Sequence, residues 1–140
     1  MDYFFLGRNL HKYAISKADV YLRKKADHIL IRLNIKADIE DETVDEDISH
    51  ISAVIDTYID TGMSDLSDLM GLKLNLCRPN SGLFTAAHPE LIRHSSLIMN
   101  SIKDDHATLQ WGGMVDVNWN AEFGTNVMFS SKFDAKIIWQ

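Results

Sequence analysis

The chain has 140 residues, 46 % of them hydrophobic and 24 % charged, the balance of one ordinary folded domain spanning 1–140 rather than a disordered chain or two independent cores. No apolar run approaches the roughly 18–20 residues of a membrane helix, the start from Met1 to Gly7 lacks the features of a secretory leader, and Cys77 is the lone cysteine. A soluble, cytoplasmic protein without disulfides is expected, and its net charge of −6 sums over segments of opposite sign.

Residues 1–36 are basic, with eight Lys or Arg against three Asp. Within them Ala18, Val20 and Leu22 alternate with Asp19, Tyr21 and Arg23, which predicts a strand. A polar Lys24-Lys25-Ala26-Asp27 link then leads into His28–Ile39, where the odd positions from Ile29 to Ile39 are apolar and the even positions polar except Leu30. This is a long half-buried strand, and the two form an antiparallel hairpin wetted on one side.

From 37 to 68 the sign reverses, to eleven acids with no Lys or Arg. Glu40, Asp41, Glu42, Asp45, Glu46 and Asp47 fall in a predicted loop. They either make a solvated face beside the basic first third or form a surface that steers a basic partner. As partner-binding candidates they supply long-range attraction, and they oppose any binding of nucleic acid by the basic segment.

Residues 48–60 fit both a helical stripe and a strand face, and their β-branched content favours strand. Ser64 is placed to cap a short helix carrying Leu66, Leu69 and Met70 inward, with Gly71 as its stop. Leu72, Leu74 and Leu76 alternate into a strand that ends at the breaker run from Arg78 to Gly82. Pro89 followed by Glu90 predicts a helical turn over 89–95, with 96–102 continuing it or starting a strand. Strands are expected at 108–111, 115–119 and 127–129, with Gly112-Gly113 as a turn or bulge that redirects the chain. The final run sends Phe133, Ala135, Ile137 and Trp139 to one face. The fold class is α+β, mainly antiparallel β: six to eight strands in a curved sheet or small two-sheet sandwich with one or two short helices.

No catalytic or cofactor motif is present. The six histidines lack HExxH spacing and no tight His–carboxylate pair recurs on one element, so no metal is expected. Cys77, on a predicted strand, reads as a buried inert thiol. Gly112-Gly113 belongs to no phosphate-binding loop, and the paired carboxylates sit in predicted loops. Trp111, Trp119 and Trp139 read as core, although Trp111 with Trp119 would be the place for a sugar or small ligand to stack.

In its small size, acidity, eleven-acid block and Leu109-Gln110-Trp111-Gly112-Gly113 to Trp119 stretch, the chain resembles the bacterial immunity proteins of polymorphic and contact-dependent-inhibition toxins. The resemblance lies in general character along the whole chain and carries no motif residue by residue. It implies a non-enzymatic binding module that neutralises a cognate toxin domain. A carbohydrate- or ligand-binding β-domain using Trp111 and Trp119 is the alternative.

Overall fold

In the computed structural model the described residues are 2–7, 11–40, 49–77, 81–84, 89–115 and 127–140. They form nine strands: β1 (Tyr3–Leu6), β2 (His11–Lys25), β3 (His28–Ile39), β4 (His50–Asp60), β5 (Lys73–Cys77), β6 (Ser81–Phe84), β7 (Pro89–Lys103), β8 (His106–Val115) and β9 (Met128–Trp139). One four-residue helix, α1 (Leu66–Leu69), lies between β4 and β5.

The strands make a single, mostly antiparallel sheet that curls on itself. Its pairing runs β1–β2–β3–β4–β6–β7–β8–β9 and returns from β9 to β1, with β5 alongside β7. Beyond β1, β9 pairs directly with β2 in parallel from Asp19 to Leu22. Because β6 bridges β4 and β7 over only four residues, the sheet is a half-barrel over much of its length. Curling answers a physical need: one face of every long strand is apolar, and the described residues offer neither a second sheet nor a helix large enough to cover it.

The strand patterns follow from that geometry. In β3 the odd residues Ile29, Ile31, Leu33, Ile35 and Ala37 are all at most 1 % exposed, as the alternation predicts. In β9 Phe129, Phe133, Ala135 and Ile137 point inward while Met128, Ser130, Lys132, Asp134 and Lys136 point out. The interior is filled by large side chains, among them Phe4, Tyr13, Trp111 and Phe133. Phe4 stacks on Phe129 at 5.3 Å, and Phe129 meets the Trp111 ring edge-on at 5.0 Å. The apolar-in, charged-out arrangement is the reverse of a membrane barrel's lining. No helix among the described residues is long and apolar enough to cross a membrane.

The β2–β3 hairpin turns through Ala26 and Asp27, with φ of 50° and 69°. Two left-handed residues in succession give a turn whose twist matches that of the flanking strands. The ambiguous stretch is strand over His50–Asp60, with Ile48 outside the described residues, and α1 follows with Leu69 buried and Gly71 at φ 77° as its stop. Its N-cap is Asp65 rather than Ser64.

Several expectations are corrected. The mainly antiparallel β character holds, whereas the α+β class and the two-sheet sandwich alternative give way to one curled sheet with a single short helix among the described residues. The breaker run expected as loop to Gly82 instead enters β6 at Ser81. The helical turn at 89–95 is the start of β7, since Pro89 opens a strand, where its missing N–H is tolerated. Gly112-Gly113 makes no turn: β8 runs straight through, with Gly113 opposite Ser95 on one side and Phe129 on the other. A Cβ on Gly113 would stand 2.3 Å from the His94 carbonyl oxygen, so glycine is there for close approach of two backbones. Trp139 is 52 % exposed rather than core.

Candidate protein-binding face

The outer face of β2–β3–β4 gathers the polar residues at even positions of β3 and their cross-strand partners. Register sets Lys25 beside His28, Arg23 beside Leu30 and Asp60, Tyr21 beside Arg32, Asp19 beside Asn34 and Val54, Lys17 beside Lys36 and Ser52, and Ala14 beside Asp38 and His50. Lys17 and Lys36 therefore stand opposite each other, a like-charge pairing that works against sheet stability.

At the centre, the Arg32 guanidinium lies 4.4 Å from the Tyr21 ring and 5.4 Å from that of Tyr58, with Arg23 5.7 Å from Tyr58 on the other flank. Such contacts contribute about 0.5–1 kcal/mol each where partly exposed. Arg32 Nε, Asn34 Oδ1 and the Tyr58 hydroxyl are buried and have no hydrogen-bond partner among the described residues. Asp19 is itself buried on this face, with the Lys17 ammonium at 3.6 Å and Lys136 opposite it on β9.

Two His–Asp pairs bound the face. At one end His28 Nδ1 lies 3.1 Å from Asp60 Oδ1, which also accepts the Gly62 N–H at 2.8 Å. The Gly62 N–H first, and His28 second, hold the Asp60 carboxyl below its ordinary range. At the other end His50 Nδ1 pairs with Asp38. A third pair, His106 with Asp105 at 2.8 Å, sits at the β7–β8 turn and lowers the Asp105 pKa chiefly through that side-chain bond. These pairs arise across strands or in a turn. They follow no metal-ligand spacing along the chain, and no group of three or more metal-ligating residues forms among the described residues.

The Asp60 shift yields a prediction. A carboxylate with a depressed folded pKa contributes stability above its unfolded pKa, and that contribution is lost as pH falls through the folded value, in the acid range. In His28→Ala the Asp60 pKa should rise yet stay below the ordinary carboxylate value, because the larger Gly62 bond persists. Carboxyl carbon NMR titration of Asp60 in both proteins reads this directly, and an unchanged Asp60 would remove His28 from the pair.

Of the six acids singled out in the sequence, Glu40 is among the described residues; Asp41, Glu42, Asp45, Glu46 and Asp47 lie outside them. Glu40 follows β3, its N–H donating to the Lys12 carbonyl at 3.1 Å and its carboxylate 3.7 Å from the Lys12 ammonium. Lys12 also lies over the Tyr3 ring at 3.7 Å. Glu40 thus has a partner in the basic first third while remaining about two-fifths exposed at the end of the face that carries Asp38 and His50.

Trp111 does not form a platform: it is 1 % exposed, and its indole N–H donates to Ser95 Oγ at 3.0 Å. Ser131 Oγ donates to the Trp111 carbonyl at 2.8 Å, which completes its polar seat. Trp119 and the Cys77 side chain lie outside the described residues.

Among the described residues, shallow depressions of about 380 Å³ beside Tyr3, Phe5, Thr108 and Lys132 and of about 320 Å³ beside Lys73, His94 and Gly113 open on the surface. The interior pocket walled by Ile31, Leu69, Leu72, Leu74, Leu97 and Met99 has about 10 Å³, room for a single water at most. A surface depression of about 330 Å³ is lined by Ser16, Lys36, Asp38, His50 and Ser52. Ser16 Oγ donates to the Lys36 carbonyl at 3.1 Å, and the His50 side chain is 76 % exposed, so water has free access.

Tyr21, Arg32, Asn34 and Tyr58 were not distinguishable as a cluster by sequence, since alternation marks them as outward-facing without fixing which residues stand opposite. No protein-family model matches the chain, no curated protein matches it, and no solved structure matches its fold.

Proposed function

We propose that this chain is a non-enzymatic protein-binding module, and more finely an immunity protein that binds and neutralises a cognate toxin domain with a basic contact surface. One observation carries the reading: the interior is packed with side chains, while charged and aromatic groups spread over the long outer face of β2–β3–β4. A strand pair of this length presents about 35–40 Å of open surface, the scale of a protein interface rather than of a small-molecule pocket. The acidic residues from Glu40 to Asp47 begin at one end of that face. Their contribution is encounter, whereas aromatic and Arg anchors supply the desolvated centre.

The test is kinetic. The tagged protein captures its partner from its source, and association is then measured for wild type and for the triple variant Glu40→Lys, Asp45→Lys, Asp47→Lys. Association of the variant should be at least ten-fold slower at low salt and much less salt-dependent, with dissociation changed less. The melting curve should stay close to wild type because exposed carboxylates contribute little individually. Wild-type association in a folded variant would reduce the acidic block to a solvated face.

A further inference from the structure

We infer that the Tyr21–Arg32–Tyr58 cluster is the seat for an acidic segment of a protein partner. This rests on the protein-binding reading above and names the chemistry of a second contact on the same face.

Three observations converge on it. First, Arg32 is held between two tyrosine rings, and among the described residues no carboxylate forms an ion pair with it. Three of the nearby acids are engaged elsewhere, Asp19 with Lys17, Asp60 with His28 and Gly62, and Asp38 with His50, while Asp56, exposed on β4 where the register slips opposite Arg32, forms no ion pair with it. A guanidinium is built for two-pronged recognition of a carboxylate, and stacking between aromatic rings pre-orders its plane. Second, Arg32 Nε, Asn34 Oδ1 and the Tyr58 hydroxyl are withdrawn from water without hydrogen bonds among the described residues. Because these atoms are covered, a peptide segment that satisfies them, with a carboxylate for Arg32, an N–H donor for Asn34 and either role for Tyr58, has to turn these side chains outward as it docks. Third, Arg23, Lys17 and Lys36 flank the cluster, whereas Asp60, Asp38 and Glu40 stand at the ends of the face, with the paired and buried Asp19 and the exposed Asp56 between them.

That layout also selects the kind of anion. The cationic stretch from Arg32 to Lys36 is about 13 Å long at ~3.3 Å per residue, enough for roughly four residues of extended peptide. A nucleic acid following the strand would run beyond it onto Asp60 at one end and Asp38 and Glu40 at the other. A short acidic segment fits between those repulsive limits. The partner's matching surface is accordingly bipolar, acidic against Arg32 and basic against the residues after β3, which fixes its register on the face.

The experiment uses the full chain labelled with nitrogen-15 and an acetylated, amidated hexaglutamate peptide as probe, with an eight-nucleotide oligothymidylate beside it. The Arg32 Nε–Hε signal and the amides of Tyr21, Asn34 and Tyr58 should shift saturably with hexaglutamate. In Arg32→Gln, whose spectrum should keep its native dispersion, affinity should fall at least ten-fold; Arg32→Lys, which keeps the charge without the planar fork, should recover only part of it. Small shifts spread over the lysines and unaltered by Arg32→Gln would overturn the assignment. So would tighter saturable binding of the oligothymidylate at the same signals. Because the probe stands in for the partner, failure here is separable from failure of the charge-reversal kinetics, which do not involve Arg32.

Discussion

Replacing Ile31 with aspartate is expected to cost on the order of 3 kcal/mol or more, enough to unfold a marginally stable domain. Ile31 is 1 % exposed, opposite Leu22 on β2 and Ile59 on β4, and lines the small pocket closed by Leu69, Leu72, Leu97 and Met99. With space of about 10 Å³ there, a carboxylate would find at most one water and no cation. Lys36→Asp on the same strand points outward and faces Lys17, so its expected effect is within ~0.5 kcal/mol. Urea denaturation of the two variants tests the inward and outward faces of β3 together. Equal midpoints for Ile31→Asp and wild type would remove the assignment of Ile31 to the interior.

The second large effect is expected from a single methyl group. In Gly113→Ala the new Cβ would lie 2.3 Å from the His94 carbonyl oxygen and 2.6 Å from Ser95 Cβ, both on the neighbouring β7. Neither can yield without moving the β7 backbone, so β7 and β8 must separate, at a cost of about 1–3 kcal/mol or more. Ser95 is also the acceptor for the Trp111 indole, and displacing it loosens the largest side chain in the interior. At Gly112 a Cβ would meet the Phe129 carbonyl oxygen at 3.1 Å, a contact that a few tenths of an ångström relieve. Part of that smaller cost is offset by the reduced freedom of the unfolded chain, about 0.4–1 kcal/mol. Thermal melts should therefore rank wild type and Gly112→Ala well above Gly113→Ala; equal melting of the two glycine variants would contradict the close approach.

What could be read in the sequence was whatever depends on a residue's own strand. The alternation of β3 gives both its bounds and its buried face, because the irregularities in its ladders place the extra residues on β2 and β4 and leave β3 itself at period two from Ile29 to Ala37. β7 illustrates the converse. Its pairing with β8 shifts register between Ile92 and His94 and again between Met99 and Ser101. The buried positions Ile92, Ser95, Leu97 and Met99 thus mix spacings of three and two, and Pro89-Glu90 completes a false helical start. Gly112-Gly113 misleads for a related reason, since the demand for glycine comes from β7 rather than from a turn in β8. The candidate face had the least legible signal. Arg32 meets Tyr58 only because the β3–β4 register slips between Ile31 and Leu33, which a single chain read linearly does not disclose. The acidic block was legible as charge, and of its six loop acids Glu40 is the one among the described residues, where it meets Lys12.

The return of β9 to β1 and β2 has a kinetic consequence. The β2–β3 and β7–β8 hairpins close through two-residue turns and can form early, within microseconds for isolated hairpins. By contrast Tyr3 pairs with Lys132 and Asp19 with Lys136, contacts between residues more than a hundred positions apart. Folding should therefore be limited by joining two preformed meanders, on the millisecond-to-second scale of non-local β topologies. Until β9 docks, the edges of β1 and β8 that it covers both remain open as templates for other strands, so a chain arrested before Met128 is the species most prone to aggregate.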